Sequence, residues 1–161
     1  MSRIVVGVMC SVLAWSSLSA QGAAAKGRVR PASAGSDTAA VNAVVRAYGE
    51  SLLGAPPNPD KTASFYTKDG EMLPPGGAPV VGPDSVRSLL AGYSKFVVEA
   101  ETMAPTTTLV MGGQATVWGD YTQRAVPPGQ TPMTVGGRFV MHLVKQPDGR
   151  WLVRRLLVQP S

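Results

Sequence analysis

A phenol, a carboxylate and an imidazole of this chain are candidates for passing a proton. Tyr48 closes the segment "AVVRAY", Asp120 lies in "VWGDYT", and His142 is the single histidine among 161 residues. A base such as Asp120 or His142 can take a proton while a hydroxyl such as Tyr48 donates a hydrogen bond where negative charge develops. That is general acid–base chemistry. Trp118, Arg154 and Leu156 would complete the walls, since a small-molecule site is an apolar hollow with a few convergent polar groups. The convergence rests on strand parity: Trp118, Asp120 and Thr122 inward on one strand, Leu152, Arg154, Leu156 and Val158 inward on the last. A slip of one residue would reverse every one of them.

Each of these residues also has a plainer reading. Tyr48 on an apolar stripe packs in a core with its hydroxyl at the rim. An Asp120–Arg154 pair serves as a structural ion pair, and His142 sits satisfied on a strand. Trp118 and Trp151 pack the sheet, with Trp151 expected on its outer face. Other chemistries find no support. One histidine and one cysteine, Cys10, make no clustered zinc site. No Gly-x-Ser-x-Gly elbow occurs, and "GGAPVVG" has neither the glycine spacing nor the βαβ setting of a dinucleotide site. No metal or cofactor is expected.

The elements that must position these residues are legible from periodicity. Val41, Val44, Val45, Tyr48 and Leu52 recur at helical steps from Ser36 onward, and Gly54 with Pro56 ends the run. Asn58 followed by Pro59 opens a second, short helix that is expected to run to about Tyr66. A strand at 71–73 and another at 79–81 flank the run Pro74, Pro75, Gly76, Gly77, which reads as a corner. A third helix starts at Pro83 and Asp84 and carries Val86, Leu89, Leu90 and Tyr93 on one face. Beyond Phe96 the helical period gives way to strands near 97–111, 114–126, 133–146 and 150–158. Helices first and antiparallel strands afterwards mean an α+β fold, with three helices on one face of a curved sheet.

The first 25 residues carry Arg3, the apolar stretch "IVVGVMCSVLAW" and small residues up to Ala25, the layout of a cleavable secretory signal. Cleavage is expected after Ala25, with Ala20 the alternative, and the apolar run is too short for a stable membrane anchor. Residues 26–36 read as a flexible leader and 37–161 as the domain. Removal of the signal takes Cys10 and Arg3 with it, leaving 14 basic against 10 acidic residues, a net +4. The remaining chain has no thiol and thus no disulfide. Its basic residues form no groove interleaved with aromatics, so nucleic acid is not an expected partner. The expected location is periplasmic or secreted, with no membrane contact after cleavage.

Two motifs then point to a family. "FYTKDGEMLPPGGAPVVGPDSVRSLLAGY" and "GGRFVMHLVKQPDGRWLVRRLLVQ" resemble the signature and the closing hairpin of the SnoaL-like and ketosteroid isomerase-like branch of the nuclear transport factor 2-like superfamily. The likeness covers residues 38 to 159. It implies a cone-shaped, mostly antiparallel sheet around a pocket, but no single function, since one cone serves enzymes, binders and assembly modules. In ketosteroid isomerases, a tyrosine on the first helix and an acid on a late strand hold the oxyanion, and an aspartate on the first short strand is the base. The resemblance places Tyr48 at the tyrosine, Pro74 at the base, with Glu71 the nearest carboxylate, and Met141 or His142 at the late acid. Two of the three roles are therefore unfilled. The expectation is an exported protein that binds a small, largely apolar molecule through Tyr48, Trp118, Asp120, Arg154 and Leu156, as a homodimer joined at the outer sheet face. The alternatives that the resemblance implies are a weak enzyme of the isomerase, cyclase or hydrolase type using Asp120 or His142 with Tyr48, or an oligomerisation module.

Overall fold

The computed structural model describes residues 34–161. The signal segment, its cleavage site and most of the expected leader lie outside the described residues.

Helix α1 (Ala34–Ser51) turns Val41, Val45 and Tyr48 into the core, where all three are buried. It is tied to the sheet by polar contacts at its first half: Lys145 Nζ lies 2.7 Å from Asp37 Oδ1, and Thr108 Oγ1 donates to Asn42 Oδ1 at 2.6 Å. Helix α2 (Pro59–Ala63) starts as expected. The Asn58 side chain accepts from the amides of Asp60 and Lys61, and Pro59 takes the first turn. The buried hydroxyls of Ser51 and Thr62, 2.9 Å apart, join α2 to the end of α1.

The expected extension of α2 to Tyr66 is corrected. The helix stops at Ala63, and Tyr66 already opens strand β1 (Tyr66–Leu73). As a strand this segment places Phe65 and Tyr66 edge-on to Tyr48, with ring centroids 5.7 and 5.9 Å away. The Phe65 carbonyl also accepts from the Val153 amide at 2.8 Å. Packing and a sheet hydrogen bond thus outweigh one more helical turn.

Strand β2 (Val80–Val81), helix α3 (Pro83–Ala91) and strands β3 (Val97–Met111), β4 (Gln114–Val126), β5 (Met133–Lys145) and β6 (Trp151–Pro160) follow. They build one six-stranded sheet in the order β2-β1-β6-β5-β4-β3. Every pairing is antiparallel except β1 with β6. The sheet is curved and unclosed, and the core lies between its inner face and the helices. Val117, Phe139, Met141 and Leu143 meet there under Val41 and Val45. Gly119 is part of this packing, because a Cβ at that position would sit 2.5 Å from the Phe139 ring and 2.3 Å from the Ala104 carbonyl oxygen.

Irregular pairing decides which face each strand residue takes. In β3 the register shifts between Val98 and Ala100, leaving Glu99 as an extra residue. Val98 and Glu101, three apart, therefore both face inward beside Ala125 and Gln123. In β6 the partners jump from Arg155 to Val153 opposite His142 and Leu143, so Arg154 is the extra residue. Trp151 and Val153 consequently share the inner face with Leu156 and Val158.

Candidate functional site

The inner face leaves a cleft beneath α3. Its floor is sheet: Met103, Tyr121, Leu156 and Val158. Its walls are Tyr48 and Leu52 of α1 and Leu89, Leu90 and Tyr93 around α3, and its volume is about 270 Å³. A neighbouring hollow of about 300 Å³ shares Leu52, Leu90, Tyr93, Gln123 and Val135 with it and extends the space towards Phe96 and Met133. The Pro/Gly corner forms one rim. Pro74 and Pro75 line the cleft, while Gly76, at φ 66°, allows the reversal that brings the Gly77 amide to the Pro74 carbonyl at 3.2 Å.

Polar groups are few and near one another. The Tyr48 and Tyr66 hydroxyls are hydrogen-bonded at 2.8 Å. Burial raises both phenols well above the ordinary tyrosine value, so both stay protonated and keep O–H groups to donate. Glu101 lines the same cleft, and its Oε2 accepts from Gln123 Nε2 at 2.8 Å. Burial pushes the Glu101 carboxyl up to about 7, with the Gln123 hydrogen bond opposing the shift. Tyr121 is raised by burial and by the neighbouring Glu101 charge. A carboxyl titrating near neutrality beside neutral phenols can act as base or acid and can also bind a cation.

Sequence reasoning passed over Glu101. Alternation counted from Val98 puts Ala100 and Thr102 on its side, and only the extra residue at Glu99 reverses this. Glutamate at 99 and again at 101, in a strand with no other charged residue, is the available signal.

Of the expected site residues, Tyr48 and Leu156 line the cleft and the others are elsewhere. Trp118 and Asp120 are corrected to the outer face: Trp118 is 39 % exposed while Val117 beside it is fully buried. The inward set of β4 lies one residue from the expected one, because Val117 and Gly119 are the residues that pair with core-facing Met141 and Phe139. Asp120 lies opposite Arg138 across the strands, and both border a shallow outer groove with Trp118. His142 also faces out, its Nδ1 3.3 Å from Thr116 Oγ1.

Arg154, the extra residue of β6, does not reach Asp120. It donates to the Asp69 carbonyl, and its Nη2 lies 3.2 Å from Asp69 Oδ2. Glu71 accepts from Arg155 at 2.9 Å, and chiefly that bond holds its carboxyl below the usual range. Glu71 is therefore an ion-pair partner on the outer face rather than a base. Trp151 is corrected to the interior, 4 % exposed. Pro74 and the buried Met141 carry no carboxylate, so the acid of this interior comes from β3 rather than from either position matched to the isomerases.

Among the described residues, no three His, Cys, Asp or Glu gather as metal ligands, and no helix is long and apolar enough to cross a membrane.

A family model for the SnoaL-like domain matches residues 41–153. No curated protein sequence matches the chain. Among solved structures, a ketosteroid isomerase-like protein from Erwinia carotovora atroseptica aligns with TM-score 0.68 at 17 % identity, over 77 % of this chain and 95 % of that one. A conserved protein from Planctomyces limnophilus aligns with TM-score 0.69 at 18 % identity, over 79 % and 99 %. A nuclear transport factor 2-like superfamily protein from Salmonella enterica serovar Typhimurium aligns with TM-score 0.67 at 16 % identity, over 79 % and 92 %. At these identities the likeness is one of fold.

Proposed function

The chain belongs to the SnoaL-like domain family, and on that premise we propose that it binds a small, largely apolar molecule in the cleft between α1, α3 and the inner sheet face. One observation carries the reading: an apolar hollow whose few polar groups, Tyr48, Glu101, Tyr121 and Gln123, lie on its lining. Apolar walls supply affinity by excluding water, and a small polar set fixes orientation. A thermal-shift panel of apolar metabolites tests it. Saturable stabilisation by a member of the panel, lost when Leu90→Trp fills the cleft, is the expected result. Stabilisation that survives Leu90→Trp unchanged would overturn the reading.

Glu101 favours a second reading, a proton-transfer enzyme. Its carboxyl, raised to about 7, takes the role that Asp120 and His142 cannot take from the outer face, with Tyr48 as hydrogen-bond donor. Glu101→Gln and Tyr48→Phe would then each lower turnover at least about tenfold.

Two further elements belong to the proposal. The chain is exported after cleavage at Ala25, so that the first residue of the protein recovered outside the cytoplasm is Lys26. It pairs with a second copy through the outer sheet face, where Trp118, Val140 and Leu157 form one cross-strand apolar row. Asp120 opposite Arg138 beside that row supplies opposite charges that a twofold axis can match.

A further inference from the structure

Among the described residues, Glu101 is the one formally charged side chain in the lining of the cleft and its neighbouring hollow. Lys and Arg outnumber Asp and Glu by 15 to 10 in the chain, yet among the described residues no Lys or Arg lines either space. Glu101 Oε2 is occupied by the Gln123 amide, and among the described residues no ion pair reaches this carboxylate. The groups that interact with it are Tyr48 of α1 and Tyr121 and Gln123 of β4, and Tyr93 beyond α3 shares the cleft lining. On its far side Arg46 and Glu50 of α1 line a separate shallow hollow with it, and neither pairs with it.

A half-buried carboxylate without a cation costs solvation free energy, and among the described residues the Gln123 amide offsets part of this cost while no cation pairs with the carboxylate. Tyr93 and Tyr121 line the cleft beside Glu101 and Phe96 lines the neighbouring hollow, and aromatic rings attract cations where repelling groups are absent. A ligand carboxylate or phosphate would meet repulsion from Glu101 and no compensating base. Resting on the cleft reading above, we propose that the ligand is an amphipathic cation, an apolar body carrying one protonated amine that pairs with Glu101.

Proton linkage makes the proposal specific. With the Glu101 carboxyl near 7, the free site is mostly protonated at pH 6, so an ammonium must expel that proton to form the ion pair. By pH 8 the carboxylate is already ionised while the amine is still protonated. Affinity for the amine should therefore rise about tenfold from pH 6 to pH 8, with nearly one proton released per ligand at pH 6 and few at pH 8.

The test is calorimetry of the purified protein with three matched probes, 4-phenylbutylamine, 4-phenylbutanol and 4-phenylbutyrate, in buffers of different ionisation enthalpy. The amine should bind at least about tenfold more tightly than the alcohol at pH 8. Glu101→Gln, which keeps the side-chain volume, should remove that advantage and the proton release while leaving the alcohol unaffected. Equal binding of amine and alcohol, or an amine preference that persists in Glu101→Gln, overturns the cation proposal and leaves the cleft standing. Binding of none of the three overturns both.

Discussion

Glu101 carries a cost that depends on pH. Its raised carboxyl means that the folded state holds the proton more strongly than the unfolded chain, whose carboxyl titrates near 4.5. Its contribution to stability is therefore complete below about 4.5 and is lost as pH climbs through about 7. Glutamine imitates the protonated form at every pH. Glu101→Gln should thus match the parent at pH 4 and be the more stable protein at pH 8, by about 2 kcal/mol after discounting for partial solvent access. Denaturant melts at the two pH values read the difference, and a constant offset would contradict the burial argument.

The tyrosine pair allows a separate prediction. Removing one hydroxyl by Tyr48→Phe strands the other, so that variant should lose about 1–3 kcal/mol. The double change Tyr48→Phe with Tyr66→Phe should cost less than the sum of the two singles, a coupling that a double-mutant cycle resolves. Tyr48 was legible from the sequence because a helical stripe fixes its own direction. Glu101 was not, because the extra residue at Glu99 reverses its face, and Trp118 and Asp120 were not, because β4 alternates without interruption and alternation alone leaves open which face meets the core.

The elements themselves were nearly all visible in the chain. Proline and asparagine at helix starts, β-branched runs and glycine turns place three helices and six strands within a few residues of where they lie. The extra residues at Glu99 and Arg154 have no comparable mark. They arise from the strain of curving a long sheet over helices, which is a property of the assembled sheet rather than of a local window. The same curvature explains Gly119, where the Phe139 ring crosses the strand. Gly119→Ala should destabilise by about 3 kcal/mol, since backbone as well as ring must move. Gly113→Ala, where the nearest atom is a Lys145 carbon at 3.9 Å, should be close to neutral. Thermal unfolding of the two variants compares them directly, and equal losses would refute the crowding account.

At the scale of the molecule, the two faces of the sheet have separate work. The inner face makes the core and leaves the cleft. The outer face displays Trp118 and Leu157, which are 39 % and 45 % exposed, on either side of Val140. If this row is the dimer contact, Trp118→Glu should convert a dimer into a folded monomer by sedimentation, with the far-ultraviolet spectrum retained. A dimer that survives the charge would move the contact elsewhere. The family and the cone were readable from two motifs, whereas the inward set of residues was not, because motifs report topology and not parity.

The methionines offer the most direct reading of the cleft itself. Met72 and Met103 line it, Met111 is 82 % exposed, and Met141 is sealed in the core. Methyl spectra of methionine-labelled protein, titrated with 4-phenylbutanol and 4-phenylbutylamine, should show saturable shifts at Met72 and Met103 and none at Met111. Shifts confined to Met111, or no saturable response at Met72 and Met103 to either compound, would contradict a ligand site on the inner face.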